Sequence, residues 1–292
     1  MRVAIWALVL TTVGLLGSCG SPVPGTPTAD DRATTEQMFN LARTSIAAAR
    51  DNPSGRHTAY LYIQFGKTQK GTESYVSILG GRDASFVEAR QSKLDPELKI
   101  TQFHQVGSTN DMLRLEGKFT ALEPTPWVSY PTAYPADANS TCGYPSMDIL
   151  CPMDKARVST EASRQPGLPH TSTVLPDGAI QLDSGTTLSA MIDQQVILFT
   201  DDVSRQITPD MSRAIIPVRI VLDPNHEFRS MEIQGEVPGT PNPLKIQMGF
   251  EQRGAADTRD FPTPPNPNEV TSLPDKQARD ALWAKILAPR QN

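Results

Sequence analysis

The stretch IPVRIVLDPNHEFRSMEIQGEVPGTPNPLKIQMGFEQ, residues 216–252, decides the fold. Its first eight residues put Ile216, Val218, Ile220 and Leu222 on one side, the period of two that a strand with one buried face requires. DPNHE then makes a turn with Pro224 at its second position, and EFRSMEIQGEV returns as the partner strand. After the VPGTPNP connection the alternation resumes, with Leu244, Ile246, Met248 and Phe250 set against Lys245, Gln247, Gly249 and Glu251. Three neighbouring strands, each apolar on a single face, predict an antiparallel sheet covered on one side.

The same period appears earlier in the chain. In TAYLYIQFG, residues 58–66, Ala59, Leu61, Ile63 and Phe65 alternate with Thr58, Tyr60, Tyr62 and Gln64. Further short runs follow at 74–79, 84–90, 98–106 and 111–119, separated by GG, DP and GSTND turn signals, and PTPWVSY brings Trp127 and Val128 back to the core. TSTVLPDGAIQL, 171–182, reads as a hairpin with PDG at its tip. Helical spacing governs 34–50, where Thr34 and Gln37 form a capping-box pattern ahead of Met38, Leu41, Ala42, Ser45 and Ala49. It recurs at 188–199, capped by Ser184 or Thr186, although the VILF end also suits a buried strand. TPDMSRA gives a further short helix, and 275–287 a terminal one presenting Ala278, Leu282, Trp283 and Ile286. Between 131 and 170 periodicity disappears, which predicts an ordered loop excursion around 134–151 packed through Tyr130, Tyr134 and Tyr144. The expected fold class is α+β: a single curved antiparallel sheet, a half-barrel, with helices packed on its concave face.

The amino terminus has the layout of a secretory signal. Val3–Leu16 holds no charge and follows Arg2, and as a helix it spans only about 21 Å, short of a hydrocarbon core of about 30 Å. The run ends in LLGSCG, where Leu16-Gly17-Ser18-Cys19 resembles the bacterial lipobox. In that motif the cysteine is thioether-linked to diacylglycerol, so residues 1–18 are a lipoprotein signal peptide and Cys19 is the lipidation site. Acyl chains at about 0.8 kcal/mol per buried methylene, palmitate among them, hold such a protein on the extracytoplasmic face of the cell membrane. Residues 19–33, rich in Pro, Thr and Asp, form a flexible tether; 34–274 is the ligand-binding α+β domain, and 275–292 the terminal helix and tail. With Cys19 lipidated, Cys142 and Cys151 are left nine positions apart, and an oxidising compartment favours a disulfide between them.

Composition narrows the chemistry. Removing residues 1–18 takes away one basic residue and no acidic one, so the net charge of −5 becomes −6. A mild acidic balance without a basic run argues against nucleic acid and against polybasic contact with anionic lipid. Neither G-x-S-x-G nor S-x-x-K nor H-E-x-x-H occurs, no phosphate loop is present, and His57, His104, His170 and His226 share no spacing. The cysteine pair has no C-x-x-C spacing and no near histidine, so no metal and no cofactor are expected. The chain reads as a non-enzyme, an envelope hydrolase being the third-ranked reading.

The succession of lipobox, tether, helix, LRLEGKF, PWVSY, IPVRIVLDPNHEFRSMEIQG and KIQMGFEQRGAADTRDFPTPPNPNEV resembles the LprG/LppX family of actinobacterial lipoproteins, similar in fold to the LolA and LolB carriers. Trp127-Val128, Val218 to Arg229 and Pro264 to Val270 occupy the places of that family's patterns. The cysteine-containing excursion and the helix after the tail depart from them. The resemblance implies a LolA-like half-barrel that holds an acylated lipid or glycolipid in transit through the envelope, with an envelope transporter as a possible partner. Leu61, Ile63, Phe65, Ile220, Leu244, Ile246, Met248 and Phe250 are then the cavity lining, and 131–170 the lid. Alternation alone does not separate a hollow interior from a filled one. A filled interior defines the alternative: a lipid-anchored interaction module, monomeric in either case, acting through the 131–170 disulfide loop.

Overall fold

The computed structural model describes residues 29–80, 85–132, 147–239 and 242–287. Helix α1 (Ala29–Asp51) leads into a meander of β1 (Gly55–Phe65), β2 (Thr68–Leu79), β3 (Ser85–Ser92), β4 (Leu98–His104), β5 (Asn110–Gly117) and β6 (Trp127–Pro131). After α2 (Met147–Ala162) comes the hairpin of β7 (Thr171–Val174) and β8 (Ile180–Thr187). Three short helices follow: α3 (Leu188–Asp193), α4 (Asp201–Ser204) and α5 (Pro209–Arg213). Strands β9 (Ile215–Leu222), β10 (Phe228–Val237) and β11 (Leu244–Gly254) are succeeded by β12 (Val270–Ser272) and α6 (Lys276–Leu287).

All twelve strands belong to one open, curled sheet in the order β12-β6-β5-β4-β3-β2-β1-β11-β10-β9-β8-β7. The expected α+β half-barrel is the observed class, and every pairing is antiparallel except β12 on β6. The meander stands in sequence order. Its first strand, β1, forms a seam with β11, pairing Ala59 with Phe250, Leu61 with Met248 and Ile63 with Ile246. These partners fall on the same face, and the pleat therefore turns both sets of aliphatic side chains toward the helices.

Three apolar clusters lie on that helix face. The largest joins β1, β11, β10, β9 and β8 to α1, α2, α3 and α5. At the far end Ile100, Leu113, Leu115, Val128 and Tyr130 pack with Leu282 of α6, and between the two sit Val76, Ile78 and Phe86.

Several boundaries differ from the sequence expectation for identifiable reasons. Helix α1 begins at Ala29 and so takes up the last residues of the expected tether; the rest of that tether, and Cys19, lie outside the described residues. Residues 147–162, expected as loop, are helical, with Pro152 inside. Leu150, Met153, Ala156, Arg157 and Thr160 of this helix are all buried, so the inward stripe has helical spacing but is interrupted by the polar Arg157 and Thr160, and apolar periodicity misses it. Thr187, not Ser184 or Thr186, caps α3 by accepting from the Ala190 amide, and the helix stops at Asp193, well short of Phe199. The VILF end is neither helix nor strand.

The chain between β11 and β12 joins the middle of the sheet to its edge. It is tied to the outer face, the one opposite the helices. Arg56 donates from Nε and Nη2 to Asp260 at 2.8 and 2.9 Å, and Phe261 meets Phe103 edge-on with ring centroids 6.3 Å apart. Arg56 and Phe103 both point away from the helices, so this segment is a strap across β1 to β4. Two capping boxes, Asp257 with Asp260 and Asn266 with Glu269, hold its two single-turn helices.

Candidate functional site

The eight residues expected to line a cavity come together on the helix face. Ile63, Phe65, Ile220, Leu244, Ile246, Met248 and Phe250 are buried in a single cluster, and Leu61 packs half-buried against it. Side chains from the roof occupy the same cluster: Phe39, Ala42 and Ile46 of α1, Leu150 and Met153 of α2, Leu188 and Met191 of α3. Alternation assigned these eight residues to one inward face but did not identify a second feature of this interior, its methionines. Met153, Met191, Met211, Met231 and Met248 are all buried there and Met38 borders it. Unbranched thioether side chains fill irregular space and repack at low cost.

Polar ties fasten the roof. Arg157 of α2, fully buried, donates from Nη1 to Glu161 at 2.6 Å and from Nη2 to Asp154 at 2.7 Å. Glu161 also accepts from Ser184 of β8 at 2.9 Å and from Arg43 of α1 at 3.3 Å. Burial alone would raise the Glu161 carboxyl, but the Arg157 charge and the bonds from Ser184, Arg157 and Arg43 outweigh it, and the group lies below its ordinary range. Thr160 bonds the Thr187 amide at 3.0 Å, and the Phe228 amide donates to Ser45 of α1. His170 stacks on Phe39 with centroids 4.1 Å apart, its Nε2 3.1 Å from Glu36, and His226 holds a left-handed turn position at φ 66.

Farther along the helix face, β3, β4 and β5 carry a buried polar band. Glu88 receives Arg90 at 3.0 Å, and Asp111 receives His104 at 2.7 Å and Gln102 at 3.4 Å. Burial pushes the Asp111 carboxyl up, more than the His104 bond pulls it down. The remaining candidate histidine, His57, is also interior: its Nε2 is 2.8 Å from the Pro53 carbonyl, and burial lowers its pKa. None of this band was legible beforehand, because a charged residue in an alternating strand is assigned by default to solvent. Of the proposed disulfide, Cys151 is buried at the start of α2 with Arg50 Nη1 3.4 Å from its sulfur, while Cys142 lies outside the described residues. The expected 131–170 lid is described only at 131–132 and from 147 onward.

On the outer face, a groove of about 520 Å³ opens between β1–β4 and the strap. Tyr75, Val87 and Ala89 make its floor, and Phe261 and Pro262 one wall. Arg56, Arg253 and Arg259 stand around it.

No family model matches the chain, and no curated protein matches its sequence. Among solved structures it is similar to LprF from Mycobacterium bovis, at 14% identity and a TM-score of 0.33, over 80% of this chain and 97% of that one. It is also similar to the MucA/MucB complex structure of Pseudomonas aeruginosa, at 11% identity and a TM-score of 0.30, over 79% of this chain and 61% of that one. A third likeness is to a DUF1329 family protein from Desulfovibrio piger, at 9% identity and a TM-score of 0.24, over 77% and 93% of the two chains.

Proposed function

We propose that the chain is an envelope lipoprotein, anchored through Cys19, that takes up an acylated lipid or glycolipid between its sheet and its helices. It carries or presents that ligand at the extracytoplasmic face of the cell membrane and makes no bonds itself. The observation that carries this reading is the interior on the helix face: an aliphatic floor from five strands, five buried methionines, and a roof partly made of very short helices. Helices of four to six residues have no stability of their own and are held by packing alone. They are the parts of the roof that open at least cost. Methionines can then repack around an entering chain, so an interior filled by its own side chains when empty still admits a ligand.

Organic extraction of the purified chain followed by mass spectrometry tests this. Co-purified acyl lipid is the expected result, and Met248→Trp, which adds bulk at the floor, should abolish it while far-ultraviolet circular dichroism is unchanged. The packed side chains of the same interior favour the second reading, a lipid-anchored interaction module acting through 131–170. Under that reading extraction yields no lipid.

A further inference from the structure

We propose that the outer-face groove beneath the strap is a second ligand site, for a single-chain amphiphile with an anionic head, of which a fatty-acid carboxylate is the simplest. It goes beyond the interior site, since it lies on the opposite face of the sheet and shares none of the eight floor residues.

The groove has the two parts such a ligand needs. Tyr75, Val87, Ala89, Phe261 and Pro262 give it apolar surface, interrupted by the hydroxyls of Thr58, Ser77 and Thr101, and its volume of about 520 Å³ is of the size that small-molecule sites occupy. Its rim carries three guanidinium groups. Each is paired with one carboxylate, Arg56 with Asp260, Arg253 with Glu251 and Arg259 with Asp257, so what the rim offers an anionic head is hydrogen-bond donors. Each guanidinium is held in place by a neighbour yet retains donors. Arg56 uses Nε and Nη2 on Asp260, and Arg259 uses the same two atoms on Asp257. Arg253 places Nε on the Thr58 hydroxyl and Nη2 on Glu251. In all three, Nη1 has no hydrogen-bond partner among the described residues. A guanidinium offers five N–H donors, so a ligand carboxylate can be received without breaking the existing pairs. Tyr75, about half exposed although its ring is large, lies where an alkyl chain would cover it.

Equilibrium dialysis of tritiated palmitate against the whole chain carrying Met248→Trp, which fills the interior floor, and stripped of co-purified lipid, decides the matter. Palmitate should bind, hexadecanol of the same chain length should bind more weakly, and Ala89→Trp should weaken palmitate by about tenfold or more, a loss of about 1.4 kcal/mol. Arg259→Glu, on a side chain almost wholly in solvent, should weaken palmitate and leave hexadecanol unchanged, which separates loss of the head contact from misfolding. Absence of palmitate binding, or binding that Ala89→Trp leaves unchanged, overturns the second site. Lipid extracted from Ala89→Trp reports on the interior alone, so the two sites fail or stand separately.

Discussion

Gly249 shows how one residue sets the outer face. It stands opposite Tyr60 on one neighbouring strand and Glu232 on the other, and a Cβ there would lie 2.6 Å from the Tyr60 ring. The missing side chain lets Tyr60 lie across β11 and donate to Glu232 at 2.7 Å. Alternation identified position 249 as outward, but nothing in the sequence says that an outward glycine is a channel for its neighbour's ring. Arg157 was equally illegible, since a charged helix residue is assigned to solvent until its partners are known. Removing it strands Glu161 and Asp154 against the roof. Arg157→Met should therefore cost about 3–5 kcal/mol, read as a lower denaturant midpoint, whereas exposed Arg205→Met should cost less than about 0.5 kcal/mol.

Among the elements, the strap is the one whose attachment depends on acid. The Arg259 side-chain and backbone bonds hold the Asp257 carboxyl down at about 2, and Arg56 lowers Asp260. Both carboxyls lie below their ordinary value, so the stability they contribute is present above the ordinary carboxylate range. It is lost as pH falls from there toward about 2. Titration of the Asp257 carboxyl by NMR should show a midpoint near 2, and Arg259→Ala should move it up toward the ordinary value of 3.8. The strands were the legible elements, because β1 and β9 to β11 each bury a single face and their period is unambiguous. The strap, α2 and β12 were not. Strap and edge strand are fixed by contacts with β1, β4 and β6 far away in sequence, and α2 by a stripe in which Arg157 and Thr160 stand where apolar residues would signal a helix. The last helix was foreseen, and its Leu282 is buried as its spacing predicts, against Leu113, Leu115 and Val128. A chain ending before Lys276 should expose that cluster, bind a hydrophobic dye, and lose about 2–4 kcal/mol, checked by dye fluorescence and urea unfolding.

At the scale of the whole molecule, the anchor and the proposed disulfide make the simplest predictions. Cys19→Ser should move the protein from the detergent phase to the aqueous phase in a cloud-point partition. Mass spectrometry of a digest without reductant should recover the peptides of Cys142 and Cys151 joined. The order in which the strands pair has a further consequence. The seam between β1 and β11 joins residues 55–65 to residues 244–254, while the meander and the later strands pair mostly with sequence neighbours. During synthesis the first half can therefore assemble early, but one long edge of β1 stays unzipped until almost the last strand emerges. Assembly of this chain is consequently a late, single locking event with a large loop to close, and a ribosome stalled before residue 244 would leave a half-built sheet with its stickiest margin open to any passing strand.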